Sequence, residues 1–239
     1  DRKRAVRYGI SFVILAVLLI FLFIWNVNSG SIHLSVQEIL NIIFRHQGDE
    51  ISYNIVWEIR LPRILSVIIL GGALSVSGFL LQTFFNNPIA GPFVLGISSG
   101  AKLIVAFLMI FLLSRSVSIG SGAMILAAFA GSMISMGFVL LVAKKVHNMS
   151  MLVISGVMIG YICSAITDFV VTFADDSNIV NLHNWSLGSF SGMTWGNVRT
   201  MVVVVFLTMV IVFFMSKPIS AYQLGETYAQ NMGVNIKVF

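Results

Sequence analysis

The chain has 239 residues, of which 58% are hydrophobic and 10% are charged, and its formal net charge is +5. This composition excludes a soluble globular domain and indicates a polytopic membrane protein, all-α and embedded in a lipid bilayer. The positive residues stand at the ends of apolar runs instead of forming a basic stripe with aromatics, so we expect no nucleic acid partner. A single cysteine, Cys163, excludes a disulfide framework and a thiolate cluster, and we expect no metal site.

The first crossing follows a basic cluster at the N-terminus. Arg2, Lys3, Arg4 and Arg7 precede an uncharged run over residues 8–32. By the positive-inside rule this cluster places the N-terminus in the cytoplasm. The mixed-charge stretch 26–58 comes next, and its amphipathic piece, 36–44, is expected to lie on the outer surface.

The second and third crossings share one uncharged run. Between Arg63 and Lys102 no residue is charged, which is enough for two crossings of about 20 residues each. Prolines and asparagines interrupt the run, because proline removes a backbone donor and disfavours a helical residue before it. The sequence therefore predicts helices over 63–85 and 93–113, and the small residues at 71–78 predict a face packed closely on another helix.

Three more helices are predicted over 123–143, 151–173 and 198–215, which gives about six crossings. Lys144, Lys145 and His147 follow the fourth helix, again on the cytoplasmic side. The outer stretch 175–197 suits a short re-entrant or surface helix and a turn. Glycine pairs at 96 and 100 and at 156 and 160 predict close helix packing.

One ordered motif spans about forty residues from the R-L-P-R sequence at 60–63. Its further members are Gly72, Ser77, Gly78, Gln82, Asn87, Pro88, Pro92 and Gly96. The motif resembles the FecCD-type permease subunits of bacterial ABC importers for iron-siderophores, haem and vitamin B12. Members of that family have about ten crossings, so the resemblance implies that residues 1–239 are a single, truncated permease domain without the C-terminal crossings.

The resemblance also implies the partners. These are a second permease subunit in a homodimer or heterodimer, two ATP-binding cassette ATPases and an external substrate-binding protein, in the bacterial cytoplasmic membrane. The sequence contains no G-x-x-x-x-G-K-[ST] loop. We therefore expect ATP on the partner ATPase, no cofactor on this chain, and no enzymatic activity of its own. The substrate implied is an iron-siderophore, haem or cobalamin, with the siderophore favoured by its frequency in the family.

Arg60 and Arg63 are candidates for docking the binding protein. A spacing of three places both guanidiniums on one side of a helix. In the family, such arginines pair with glutamates on the two lobes of the binding protein, and arginine suits bidentate carboxylate recognition. The alternative is a pair of anchors that snorkel to the membrane interface.

Asp168 is the only acid inside a predicted crossing, and it shares a helix face with other polar residues. The stripe consists of Tyr161, Ser164, Asp168 and Thr172. An intramembrane acid usually faces a cavity or a partner, and the resemblance implies that this helix lines the translocation path. Alternatively, the carboxylate is satisfied by a neighbouring helix or lies near the outer interface.

Two cytoplasmic segments complete the candidate sites. Met149 and Ser150 occupy the position of the family's inner gate, although a plain helix start capped by Asn148 explains them equally. The segment 216–239 resembles the family's coupling loop through Leu224, Gly225, Glu226, Ala229 and Gly233. Such a loop needs two short helices and a glycine turn to fit a groove on the ATPase; the alternative is an ordinary amphipathic loop.

Two other classes of protein remain as alternatives. A proton- or sodium-coupled secondary transporter would use Asp168 as its coupling carboxylate and residues 86–92 as an ion site. This class of transporter does not explain the R-L-P-R and L-G-E motifs. The sequence also lacks the inverted repeat that is typical of such transporters. A membrane-anchored scaffold or sensor predicts no polar stripe within a crossing.

Overall fold

The computed structural model describes residues 2–30, 32, 34–89, 91, 93, 95–113, 121–145 and 149–236. Every regular element in these residues is a helix, which confirms the all-α fold. In chain order the helices are α1 (Arg2–Asn28), α2 (Val36–Arg45), α3 (Glu50–Asn54), α4 (Leu61–Phe85), α5 (Ile97–Leu113), α6 (Ser121–Ala143), α7 (Met149–Val171), α8 (Asp176–Leu187), α9 (Trp195–Phe214), α10 (Ser216–Tyr222) and α11 (Glu226–Asn231). A π-helical segment, Ile55–Arg60, joins α3 to α4.

Five helical stretches in the described part of the chain are long and apolar enough to cross a membrane. They are Arg2–Asn28, Glu50–Phe85, Gly122–Val142, Met151–Val171 and Trp195–Phe214. The predicted third crossing corresponds to α5, a shorter apolar helix of 17 residues. Its predicted start at residue 93 is wrong, because Gly96 has a φ of 70°, which a right-handed helix does not contain. The polytopic helical bundle is confirmed.

The second crossing begins earlier than its hydropathy predicts. The helix runs from Glu50 through the π segment into α4, whereas the predicted start is residue 63. Asp49 caps it by accepting a hydrogen bond from the Ser52 N–H at 3.1 Å. Hydrogen bonds from the side chain and backbone of Ser52 hold the pKa of Asp49 below its ordinary value. The prediction missed the first turns of this helix because hydropathy identifies only the apolar part of a helix, and the turns after Glu50 are more polar.

Residues 1–72 and 190–209 form one compact unit around a buried apolar cluster. Its buried side chains are Val27, Leu34, Ile39, Ile42, Val56, Leu61 and Ile64. Helix α2 begins with a capping box, in which Ser35 Oγ accepts from the Glu38 N–H at 3.2 Å and the Glu38 carboxylate accepts from the Ser35 N–H at 2.8 Å. The predicted amphipathic piece is therefore a capped helix whose apolar face belongs to this cluster.

Residues 73–189 and 210–239 form a second unit, in which α5 packs against α6 and α7. A Cβ added at Gly100 would lie 2.6 Å from the carbonyl oxygen of Gly131 on α6. A Cβ added at Gly96 would lie 2.6 Å from the carbonyl oxygen of Gly156 on α7. Ser135 Oγ also donates to the Gly96 carbonyl at 3.0 Å. The predicted glycine pairs thus allow α5 to approach both neighbours closely.

Helix α8 confirms the short helix predicted within 175–197. Its Leu182 is buried in the apolar cluster of α5, and Trp185 packs against the same cluster. The helix ends at Gly188, whose φ of 75° favours glycine.

Candidate functional site

Arg60, the first arginine of the predicted docking pair, is bound to backbone carbonyls. Its guanidinium donates to the Val27 oxygen at 2.5 Å and to the Ile32 oxygen at 2.9 Å. The Val27 carbonyl lies in the last turn of α1, where carbonyls lack intrahelical partners and a cation is favoured. Gly30 provides the space, because a Cβ there would collide with the guanidinium. Arg60 therefore fastens the end of α1 to the π segment.

Arg63 is exposed, whereas Arg60 is half-buried. Both line a small pocket of about 340 Å³, so the two residues lie near each other, and docking by the pair stays a prediction. Arg63 also lies at an apolar crevice of about 710 Å³ lined by α1 and α4. Of the two arginines, Arg63 is the more exposed to solvent.

The turn before Pro62 is π-helical. The Leu61 N–H donates to the Val56 carbonyl, five residues back. Pro62 is next and has no N–H, so in this register the Trp57 carbonyl has no main-chain donor. Trp195, the first residue of α9, donates from its indole Nε1 to that carbonyl at 2.9 Å.

Four rings form an aromatic cluster in the first unit: His46, Tyr53, Trp57 and Trp195. Trp57 lies 5.3 Å from Trp195 and 4.6 Å from His46 between ring centroids, and Tyr53 stacks on it at 6.1 Å. The sequence analysis missed this cluster. The available signal was Pro62, which frees a carbonyl, but the sequence does not say which distant side chain supplies the donor.

The polar stripe of α7 faces away from the packed core of the second unit. Tyr161 is 70% exposed, Asp168 and Thr172 are exposed, and Ser164 is half-buried. Thr172, just beyond the end of α7, donates from Oγ1 to the Asp168 carbonyl oxygen at 3.0 Å. Gly156 and Gly160, which pack against Leu95, Gly96 and Ser99 around the start of α5, lie on the adjacent face. Helix α7 thus combines one packed face with one open polar face.

The predicted inner gate lies at the N-terminus of α7. Met149 and Ser150 are its first two residues. Their side chains, and all of Asn148, lie outside the described residues. The gate stays a prediction.

The predicted break after the second crossing is a helix cap at the end of α4. Asn86 has a φ of 46° and donates to the Thr83 carbonyl at 3.2 Å. Asn87 donates to the Gln82 carbonyl at 3.1 Å. These two hydrogen bonds are those of a Schellman motif, with asparagine in the position that glycine usually occupies. Helix α4 therefore ends at Phe85, as predicted.

The residues after this cap form a turn. Asn87 Oδ1 accepts from the Ile89 N–H at 2.9 Å, a local side-chain turn that competes with helix. Pro88 lies inside this turn and cannot continue α4. Pro92 lies outside the residues that the structure describes.

The small-residue face of α4 is open in this chain. A Cβ added at Gly72 or Gly78 would meet no atom within 4 Å, and Ser77 is half-buried. The predicted close packing of this face on another helix therefore has no partner within the described ranges and stays a prediction. No helix of the described chain comes close enough to use the space that these glycines leave.

Residues 216–236, the two-helix segment, have the geometry predicted for the coupling loop. Helices α10 and α11 meet at Gly225, whose φ is 113°, and Glu226 is the first residue of α11. Leu224 is 67% exposed beside the turn, while Ala229 is fully buried. Gly233, with a φ of 83°, ends α11.

A hydrogen bond joins the two-helix segment to α4. Gln223 Nε2 donates to Thr83 Oγ1 at 3.1 Å. Burial, and after it the Glu226 carboxylate, raises the pKa of Tyr222. Pro218 lies in the first turn of α10, where its missing N–H is not needed.

Metal binding finds no support in the part of the chain that the structure describes. There, no group of three or more His, Cys, Asp or Glu side chains is placed to hold an ion. Cys163 is half-buried in α7 and fits a structural thiol.

Comparison with known proteins gives one family. The model of the FecCD transport family matches residues 18–239. A protein of Methanocaldococcus jannaschii named as an ABC transporter permease is 30% identical over 236 residues, which are 97% of this chain and 67% of that protein. The hemin transport system permease protein of Yersinia pestis is 29% identical, covering 93% and 66%. The vitamin B12 import system permease protein of Salmonella paratyphi A is 34% identical, covering 75% and 54%.

A solved structure has the same fold. It is described as an inward-facing conformation of a metal-chelate type ABC transporter, and it matches with a TM-score of 0.78 at 23% identity. The match covers 94% of this chain and 68% of the other. The chain spans between about half and two thirds of the length of the curated relatives it matches.

Proposed function

Because this chain belongs to the FecCD transport family, we propose that it is a transmembrane permease subunit of an ATP-driven importer. It works with a second permease subunit, two ATPase subunits and an external binding protein. The basic N-terminus lies in the cytoplasm, as the positive-inside rule requires, and the protein crosses the bacterial cytoplasmic membrane several times. Arg60 and Arg63 then lie at the outer side and the two-helix segment at the inner side.

The observation that carries the proposal is the two-helix segment. Two short helices turned at Gly225, with Leu224 exposed beside the turn, form a compact projection that can enter a groove on an ATPase. Ala229 is buried in α11, and the hydrogen bond from Gln223 to Thr83 attaches this projection to α4. An ordinary amphipathic loop needs neither the left-handed glycine nor the buried alanine.

The proposed substrate class is a metal chelate or corrinoid. Relatives named for hemin and vitamin B12 support this class, and an iron-siderophore remains a candidate beside haem and cobalamin. The exposed polar stripe with Tyr161, Asp168 and Thr172 lines the path in this proposal, because an acid facing lipid would be costly. The ion-coupled alternative, with Asp168 as coupling carboxylate, gains no support from any relative described above.

Docking by the arginine pair is tested in the full transporter, reconstituted with its ATPase and binding protein. The measurement is the binding-protein concentration that half-maximally stimulates ATP hydrolysis. Arg63→Glu raises this concentration, because it reverses the exposed charge that would pair with a carboxylate. Arg60→Ala lowers the unfolding temperature, because it removes hydrogen bonds to Val27 and Ile32. It raises the half-maximal concentration less than Arg63→Glu does, because the exposed charge of Arg63 is still present. An unchanged half-maximal concentration for Arg63→Glu contradicts docking at this site.

A further inference from the structure

We propose that Trp195 is a positioning residue for the docking arginines. Its indole N–H replaces the main-chain donor that Pro62 lacks, and it thereby holds the π-helical turn that contains Arg60. The inference rests on the proposed function, in which Arg63 docks the external binding protein.

The first step is the carbonyl that Pro62 leaves without a donor. In a π-helical turn each N–H donates five residues back, as Leu61 does to Val56. Position 62 would donate to the Trp57 carbonyl in the same register, but proline has no N–H. A half-buried carbonyl without a donor is unfavourable, and such a turn needs a donor from elsewhere.

The second step is the donor itself. The Trp195 Nε1 lies 2.9 Å from the Trp57 carbonyl oxygen. The two indole rings also pack, with centroids 5.3 Å apart, and both contact the buried apolar cluster of the first unit. Trp195 therefore holds the turn by a directed hydrogen bond and by ring packing, and these two contributions can be separated by substitution.

The third step is what the π turn positions. Conversion to an α-helical turn would remove one residue from the turn and rotate the preceding chain by about 100° relative to α4. Arg60 would then leave the carbonyls of Val27 and Ile32 and its place beside Arg63. The Trp195 hydrogen bond thus fixes the arrangement of both arginines without touching either of them.

A simpler role for Trp195 is an aromatic anchor at the membrane interface. An anchor depends on the ring and not on a hydrogen bond to one carbonyl. It also has no reason to depend on Pro62. These two differences give the test.

The experiment uses the full transporter with its ATPase and binding protein in lipid nanodiscs. The variants are Trp195→Phe, Pro62→Ala, their combination, and a benzothiophene analogue of tryptophan at position 195, which keeps the double ring and lacks the N–H. The readouts are the half-maximal binding-protein concentration for stimulation and the basal rate of ATP hydrolysis. Trp185→Phe, another half-buried tryptophan, is the matched control.

We expect Trp195→Phe and the benzothiophene variant to raise the half-maximal concentration about five- to tenfold, the factor for one lost hydrogen bond, with the basal rate unchanged. In Pro62→Ala the new N–H satisfies the Trp57 carbonyl, so adding Trp195→Phe changes the concentration less than about twofold. The Trp185 control stays at the wild-type value.

Three results overturn the inference. If both position-195 variants leave the concentration unchanged while Arg63→Glu raises it, Trp195 does not position the arginines, and the proposed function stands. If Trp195→Phe has its full effect in the Pro62→Ala background, the indole does not replace the missing donor. If Arg63→Glu also has no effect, docking by the arginines fails, and this inference fails with it.

Discussion

Arg60 and Arg63 show how two identical residues in one short motif acquire different roles. Arg60 donates to the carbonyl of Val27 in the last turn of α1 and to that of Ile32 in the segment after it, while Arg63 remains exposed one turn later. The spacing predicted that they share a side, and it could not predict which of them the chain itself would bind. That choice depends on Gly30, which leaves room for one guanidinium.

Close contact between α5 and α6 predicts a sharp difference between two glycines of α6. A Cβ at Gly131 would collide with the Gly100 carbonyl, whereas a Cβ at Gly137 would meet no atom within 4 Å. Gly131→Ala should destabilise the protein by about 1–3 kcal/mol, as overpacking does. Gly137→Ala should be neutral or stabilising by up to about 1 kcal/mol from helix propensity. Thermal unfolding in detergent measures both, and equal effects contradict the packing described here.

Asp168 is expected to act in transport and not in folding, because its side chain is exposed on α7. Asp168→Ala should slow substrate uptake or change its substrate preference, while leaving the basal ATPase rate and the unfolding temperature near wild type. Ser155→Ala is a suitable control, since Ser155 donates only to the Met151 carbonyl of its own helix. Wild-type uptake kinetics in Asp168→Ala would support the alternative of a carboxylate without a role in the path.

At the scale of elements, the two-helix segment depends on the backbone of one residue. Gly225 has φ 113° and ψ 151°, a region that is essentially restricted to glycine. Gly225→Ala should cost about 1–3 kcal/mol of local strain and misplace α11. We expect ATP hydrolysis to continue with reduced uptake per ATP, which a ratio of the two rates measures. Gly192→Ala serves as control because it meets no atom within 4 Å, and an unchanged ratio for Gly225→Ala argues against a coupling role.

The elements that the sequence predicted well are those governed by local rules. The end of α4 follows from asparagines and prolines, and the contacts of α5 follow from glycines at steps of four. The π segment was not predictable in this way, since its stability depends on a tryptophan 138 residues away. The start at Glu50 was missed because hydropathy reports membrane entry and a helix can extend beyond it.

At the scale of the whole molecule, a large apolar surface of the described chain is not covered by other residues of the chain. Most large apolar side chains of α1 are exposed, from Val6 to Trp25, as is the small-residue face of α4 around Gly72. Exposed apolar surface of this extent marks contact with lipid or with other protein. The sequence could predict the order of the apolar helices, since each is a local apolar run. Of the six crossings that it predicts, five are long and apolar enough to span a membrane within the described residues, and α5 is shorter. The sequence could not predict the substrate, because no single side chain selects a chelate.

The most direct test of the importer function is uptake by proteoliposomes that contain the full transporter, with binding protein and labelled substrate outside. The substrates compared are a ferric siderophore, haem and cobalamin, each with and without ATP inside and with and without a proton uncoupler. The account predicts that uptake of one of these requires ATP and survives the uncoupler. An uptake rate that is the same with and without ATP and is abolished by the uncoupler would contradict the account. Asp168 would then be the candidate coupling carboxylate of an ion-coupled mechanism.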